Sequence, residues 1–261
     1  MAAAAPSRSN PSPWRSRIVV GTLVALAFVW GLAAGAYEVF PYPALRAAKN
    51  WVDGHQGPPP NPSYQSNLKV PEIAAGMEQW GSTARIVMVG DSITAQGQWT
   101  EMFPGVSILN RGIGGDTAGG VADRAGLIAQ TKPEAIFLMV GLNDLFYPRN
   151  TQEQIEAEFE RAIVELGKTG AELFVQSIII CNSLNPVCTP PQQAKLSRFN
   201  SALERLSAKH GARFIDLNAR MSGPDGLHPR FSWDGMHLNG EGFAEWRSIL
   251  TPHIERLSAP G

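Results

Sequence analysis

Beyond residue 84 the chain alternates between short apolar runs and longer stretches whose apolar residues recur every three or four positions. The runs are RIVMV (85–89), VSIL (106–109), AIFLMV (135–140), ELFVQSIII (172–180) and RFIDL (213–217). They are β-branched, short and nearly continuous, as expected of parallel strands covered on both faces. The stretches between them predict helices. One begins at Thr151, with Gln154 three residues on as a capping box. It carries Ile155, Phe159, Ala162 and Leu166 on one stripe and stops near Gly167 or Gly170. Another follows Pro190-Pro191, buries Leu196, Phe199, Leu203 and Leu206, and ends at His210-Gly211. A last helix starts near Asn239 and carries Phe243, Trp246 and Leu250, with Pro252 expected to bend or restart it. This alternation predicts an α/β fold, an open three-layer α/β/α sandwich over residues 84–261.

A different pattern occupies the N-terminus. Residues 18–37, IVVGTLVALAFVWGLAAGAY, hold no charged side chain, and about 20 such residues span a bilayer as a helix. Arg8, Arg15 and Arg17 precede them without an acid, which keeps the polar, disordered tail 1–17 cytoplasmic and sends the rest across. The length favours an uncleaved membrane anchor, since the apolar core of a cleaved signal peptide is typically ~7–15 residues. Ala34-Gly35-Ala36 fits a cleavage site, so the secreted alternative stays open. Either way the folded part is expected on the periplasmic or extracytoplasmic side of the cell membrane. Residues 38–83 read as a Pro-rich connector, stiffest at GPPPNPS (57–63).

Composition adds exclusions. A formal net charge of −1 argues against a nucleic-acid partner. No His/Cys cluster has metal-ligand spacing, so no metal is expected. Cys181 and Cys188 lie in one loop, CNSLNPVC. In an oxidising compartment they could close it as a disulfide; the alternative is two unpaired thiols.

In an open α/β sheet, ligands sit beyond the carboxyl ends of the strands. Polar, glycine-bearing blocks fall there: Gly90-Asp91-Ser92, then NRGIGGD (110–116), GLND (141–144), and near the C-terminus WDGMHLNGEGF (233–243). A serine hydroxyl is a weak nucleophile that needs a base. Among the five histidines, His237 follows an acid, Asp234, at a spacing of three that allows both on one face. Such an acid can fix the imidazole tautomer, leaving the second nitrogen for the serine proton. Attack on an ester creates an oxyanion, for which the turn at Gly115 offers a backbone N–H and Asn143 an amide. The nucleophile elbow G-x-S-x-G is absent, since position 94 is Thr, and the dinucleotide fingerprint fails at Thr117.

With these blocks in this order, the chain resembles the GDSL esterase/lipase family, or SGNH hydrolases: GDSI (90–93), RGIGGDT (111–117), GLND (141–144) and DGMH (234–237). Ile93 stands where the family name has Leu. The resemblance implies a flavodoxin-like sheet of five parallel strands in order 2-1-3-4-5. It implies Ser92 as nucleophile, His237 as base and then acid, and Asp234 as the group orienting His237. The oxyanion hole would be the Ser92 and Gly115 N–H groups with the Asn143 amide, and Asp91, Asp116 and Asp144 would brace the loops. No metal or organic cofactor is implied.

The expected partner is an acyl-ester substrate: a small molecule, a glycan or a lysolipid. Arg111, Phe146, Tyr147, Trp233 and Arg230 are candidates to line an open, shallow site. Two other readings compete with an outward-facing ester hydrolase. One is an O-acyltransferase that passes acetyl to a sugar hydroxyl, the other a non-catalytic carbohydrate-binding module. The sequence gives no basis for an oligomeric state.

Overall fold

The computed structural model describes residues 69–146 and 151–258. The N-terminal tail, the apolar stretch 18–37, most of the connector and Tyr147 therefore lie outside the described residues. Among the described residues no helix is long and apolar enough to cross a membrane.

Five strands form one parallel sheet: β1 (Ile86–Gly90), β2 (Ile108–Gly112), β3 (Ala135–Met139), β4 (Glu172–Gln176) and β5 (Arg213–Ile215), in order β2-β1-β3-β4-β5. The order places β1 and β3 side by side near the middle, with all their residues buried. Parallel strands need crossovers, and the helices supply them on both faces. One layer contains α4 (Ala118–Asp123), α5 (Ala125–Gln130), α7 (Gln152–Gly167) and α8 (Pro190–Lys209). Opposite lie α2 (Ser92–Gln96), α3 (Trp99–Met102) and α10 (Gly240–Ser258). Two short helices, α6 (Leu142–Phe146) and α9 (Asn218–Met221), follow β3 and β5. A helix α1 (Lys69–Trp80) occupies part of the stretch read as connector and packs against α5.

The expected stripes are buried except at Leu206 and Phe243, which are half-buried. On α7 the capping box of Thr151 and Gln154 forms in both directions, and Ile155, Phe159, Ala162, Ile163 and Leu166 face the sheet. Each large side chain there is stabilising by on the order of 2 kcal/mol relative to exposure. Helix α10 docks through Trp246, whose ring meets Trp99 edge-on at 4.8 Å and whose indole N–H donates to Gln176 Oε1 at 2.7 Å. That docking carries the preceding turn, residues 232–239, to the end of β1.

Two local expectations are corrected. The run 172–180 does not form one long strand: β4 stops at Gln176. Asn200 on α8 brackets Ile178, accepting from its N–H and donating to its carbonyl, and Asn218 accepts from the Ile180 N–H. Side-chain amides thus replace the ladder where the chain must leave the sheet. Nor does Pro252 restart the last helix: α10 runs unbroken from Gly240 to Ser258, with exposed Pro252 inside it.

Candidate active site

Strand β1 ends at Gly90, and Asp91 caps α2 by accepting from the Ile93 N–H at 3.0 Å. Ser92 is therefore the first residue of a five-residue helix, where backbone N–H groups lack intrahelical acceptors. The turn is fastened from the neighbouring strand. Asn110 on β2 donates to the carbonyls of Thr94, Ala95 and Gly97. Gly112 lets the two backbones touch, since a Cβ there would lie 2.3 Å from Ala95 N.

Beyond β2 the chain passes Gly114, where a Cβ would come 4.0 Å from Ser92 Cβ, and turns at Gly115 with φ of 78°. Beyond β3, Asn143 donates through Nδ2 to the Asp116 carbonyl at 2.8 Å. That bond uses one of the two amide hydrogens. Asp144 accepts from the Ala118 N–H at 3.1 Å, tying the β3 loop to α4.

The fourth block folds into a tight turn. A bridge between Ser232 and Leu238 closes it, and the Ser232 hydroxyl donates to the His237 carbonyl at 2.6 Å while accepting from the Gly235 N–H at 2.8 Å. Asp234 Oδ1 accepts from the N–H groups of His237 (2.7 Å) and Met236 (2.9 Å). Its Oδ2 lies 2.8 Å from His237 Nδ1, and His237 Nε2 lies 3.2 Å from Ser92 Oγ. Partial burial would raise the Asp234 carboxyl. The bonds from the His237 side chain and from the two N–H groups outweigh it and hold the carboxyl below its usual range. An ionised carboxylate only accepts, so His237 Nδ1 carries a proton and Nε2 faces the serine.

Beneath these groups lies a buried set of charges. Arg124 pairs with Asp116 at 2.8 Å and also donates to the Gly90 and Arg111 carbonyls. Burial pushes the Asp91 carboxyl up to about 7, with Asp116 and Asp144 adding to the shift and the Ile93 N–H opposing it. Among the described residues no cluster of His, Cys, Asp or Glu could hold a metal ion.

The expected lining residues separate. Trp233 is 68% exposed, and its ring lies nearly parallel to that of His237, 17° off with centroids 6.0 Å apart. Phe146 is half-buried at the end of α6. Arg230 is exposed and covers the Phe231 ring. Arg111 departs from the expectation of an open lining position. It is only 5% exposed, on the face of β2 opposite the half-buried Asn110, so that face of the strand end is the covered one. Ser232, Asn110 and Arg124 were not singled out from the sequence. Only Ser232 carried a local signal, a hydroxyl two residues before Asp234 in a turn-forming segment. Cys181 and Cys188 are joined, with Cα atoms 5.9 Å apart.

The sequence pattern of the GDSL-like lipase/acylhydrolase family matches residues 88–244. Subunit alpha2 of the human platelet-activating factor acetylhydrolase IB is 32% identical over 172 residues, which cover 61% of this chain and 71% of that protein. The rat subunit alpha2 matches to the same extent. Among solved structures, a GDSL-like lipase from Bacteroides thetaiotaomicron superposes with a TM-score of 0.60 at 18% identity, covering 71% of this chain and 97% of that one. An acetylxylan esterase from Geobacillus stearothermophilus gives 0.54 at 16% identity, covering 67% and 95%. At these identities the structures establish the shared fold. The chain belongs to the GDSL-like lipase/acylhydrolase family and is an ester-hydrolysing enzyme.

Proposed function

We propose that this enzyme removes small acyl groups, acetyl foremost, from carbohydrate or similar bulky alcohols through an acyl-enzyme on Ser92. The observation that carries the proposal is the relay from Ser92 Oγ to His237 Nε2 at 3.2 Å and from His237 Nδ1 to Asp234 Oδ2 at 2.8 Å.

In that mechanism Ser92 Oγ attacks the acyl carbonyl and its proton passes to His237 Nε2. Asp234, held ionised, orients the ring and stabilises the imidazolium. Negative charge develops on the carbonyl oxygen, against the N–H groups of Ser92 and Gly115 and the second Asn143 amide hydrogen. His237 then protonates the leaving alcohol oxygen. Water enters, gives its proton to His237, attacks the acyl-enzyme, and releases the carboxylic acid with Ser92 restored.

The same geometry bears on the alcohol. The leaving oxygen must reach His237 Nε2, so the alcohol lies on the side of the site where Trp233 stands. Its exposed ring offers a flat apolar face suited to the C–H face of a sugar ring. Acetyl as the acyl group agrees with the names of the relatives, an acetylhydrolase subunit and an acetylxylan esterase. Residues 18–37 supply the sequence argument for membrane anchorage, with the catalytic part outside.

Replacing Ser92 by Ala is expected to lower kcat on p-nitrophenyl acetate by on the order of 10⁶. A fluorophosphonate should form an adduct at Ser92 of the native enzyme. Undiminished turnover in S92A, or labelling elsewhere only, would rule the mechanism out. Comparing acetylated oligosaccharides with lysolipids identifies the alcohol, and product analysis with a glycan acceptor separates hydrolysis from acetyl transfer.

A further inference from the structure

The loop between β4 and α8 does more than connect them. Cys181 and Cys188 close it into a ring that is itself internally bonded. Cys188 N–H donates to the Asn185 carbonyl, Asn185 N–H to the Asn182 carbonyl, and Leu184 N–H to Asn182 Oδ1. Both cysteines are buried, so the crosslink belongs to the packed body of the domain.

One edge of this ring meets the turn that carries Asp234 and His237. Asn182 N–H donates to the Gly235 carbonyl at 2.8 Å. The contact is close: a Cβ on Gly235 would lie 2.5 Å from Asn182 Oδ1 and 2.7 Å from Asn185 N. Gly235 also sits at φ of 82°, where a side chain is strained. Asn182 is in turn fixed by donating from Nδ2 to the Leu227 carbonyl, next to the short hairpin of β6 (Ser222–Gly223) and β7 (Gly226–Leu227). The bonds of Ser232 and Asp234 side chains run within residues 232–238, and those of Asn239 tie the turn's end to Arg230, Phe231 and the start of α10. They shape it and join it to α10, whose docking through Trp246 holds one end of the turn. The contact with Asn182 holds the turn's other side, running to the loop that follows β4, the neighbour of the strand that leads to Asn143.

We infer that the Cys181–Cys188 ring is a positioning device for catalysis: by clamping Asn182 against Gly235 it sets His237 at bonding distance from Ser92. Cys181, Cys188 and Asn182 are then positioning residues that touch no reacting atom. The inference rests on the proposed roles of Ser92 and His237. Bond-making geometry is steep, and a displacement of about 1 Å can cost on the order of 10²-fold in rate. Loss of the ring should therefore lower kcat while leaving KM for a small ester almost unchanged.

The test compares the full-length enzyme with C181A/C188A on p-nitrophenyl acetate, well below the melting temperature of each. Near-UV circular dichroism reports that the variant is folded. A fall of kcat and of the fluorophosphonate labelling rate at Ser92 by roughly 10- to 100-fold, with KM within twofold, is expected. Native kcat in the folded double variant overturns the inference and reduces the crosslink to a stabiliser. Should that variant not fold, N182A keeps the disulfide and the backbone bond to Gly235 but removes the side-chain bonds that hold residue 182 to Leu227 and Leu184. It should lower kcat several-fold without raising KM, and unchanged kcat there overturns the inference as well. If the native enzyme itself forms no Ser92 adduct, the failure belongs to the proposed function, and this inference falls with it. A native adduct combined with undiminished labelling in the variants counts against the ring alone.

Discussion

Ser92 and His237 meet from opposite kinds of surroundings. Ser92 follows β1, a strand buried along its whole length between β2 and β3, and its turn is tied down by Asn110, Arg124 and three buried acids. His237 sits in a short irregular turn before α10, with about a quarter of its side chain accessible, and is shaped by bonds spanning two to five residues. The proposed nucleophile inherits its place from the sheet, whereas the proposed base owes its place to local polar bonds, to the docking of α10 and to the ring against Gly235. A change in the first neighbourhood should act through the stability of the core, and a change in the second through rate.

Three substitutions probe that contrast. Asp234→Asn lies in the irregular turn and should have the largest effect. An amide would no longer hold His237 in the tautomer that presents Nε2, and kcat should fall by on the order of 10⁴ with melting temperature little changed. A loss under tenfold, measured on p-nitrophenyl acetate, would mean that the backbone bonds of the turn suffice to orient the ring.

Asp91→Asn tests the sheet side. Burial pushes the Asp91 carboxyl up to about 7 in the folded protein, from 3.8 in the free state. The folded state therefore binds the proton more tightly. That contribution to stability is fully present below the unfolded value and is lost as pH rises toward 7. Asn keeps an acceptor for the Ile93 N–H without the charge. Urea unfolding should show D91N close to the native enzyme near pH 4 and more stable near pH 8, by up to about 4 kcal/mol. Parallel stability curves for the two proteins would remove Asp91 as the source.

Asn143→Ala probes both neighbourhoods, because the amide is bonded to the Asp116 carbonyl and is also the proposed oxyanion donor. A fall of about 10²–10³ in kcat is expected. Under tenfold, Asn143 is a loop brace and no oxyanion donor.

The same contrast governs what could be read from the chain. The central strands β1 and β3 appear as continuous apolar runs, since burial on both faces selects them, whereas the edge strands β2 and β5 carry polar residues within their bounds. The ordered blocks at Ser92, Gly115, Asn143 and His237 stand out because their chemistry is compressed into a few adjacent residues. Features set by distant partners are hidden. The end of β4 depends on Asn200 and Asn218, which lie far along the chain and look like ordinary helix and loop residues. Arg111 reads as a strand-end cation, but the layers that cover it come from elsewhere in the sequence. The approach of Asn182 to Gly235 joins two loops whose separation no local pattern encodes.

The hydrogen bond between Ser92 and His237 spans 145 residues of chain. Closing so long a loop carries a conformational entropy cost that grows only with the logarithm of its length, but contacts this distant form late in folding. A refolding chain is therefore expected to form its sheet before it brings His237 to Ser92. Recovery of hydrolysis after dilution from denaturant should lag the recovery of helical signal. It times the docking of Trp246 and the C-terminal helix, which makes turnover a clock for the last step of assembly.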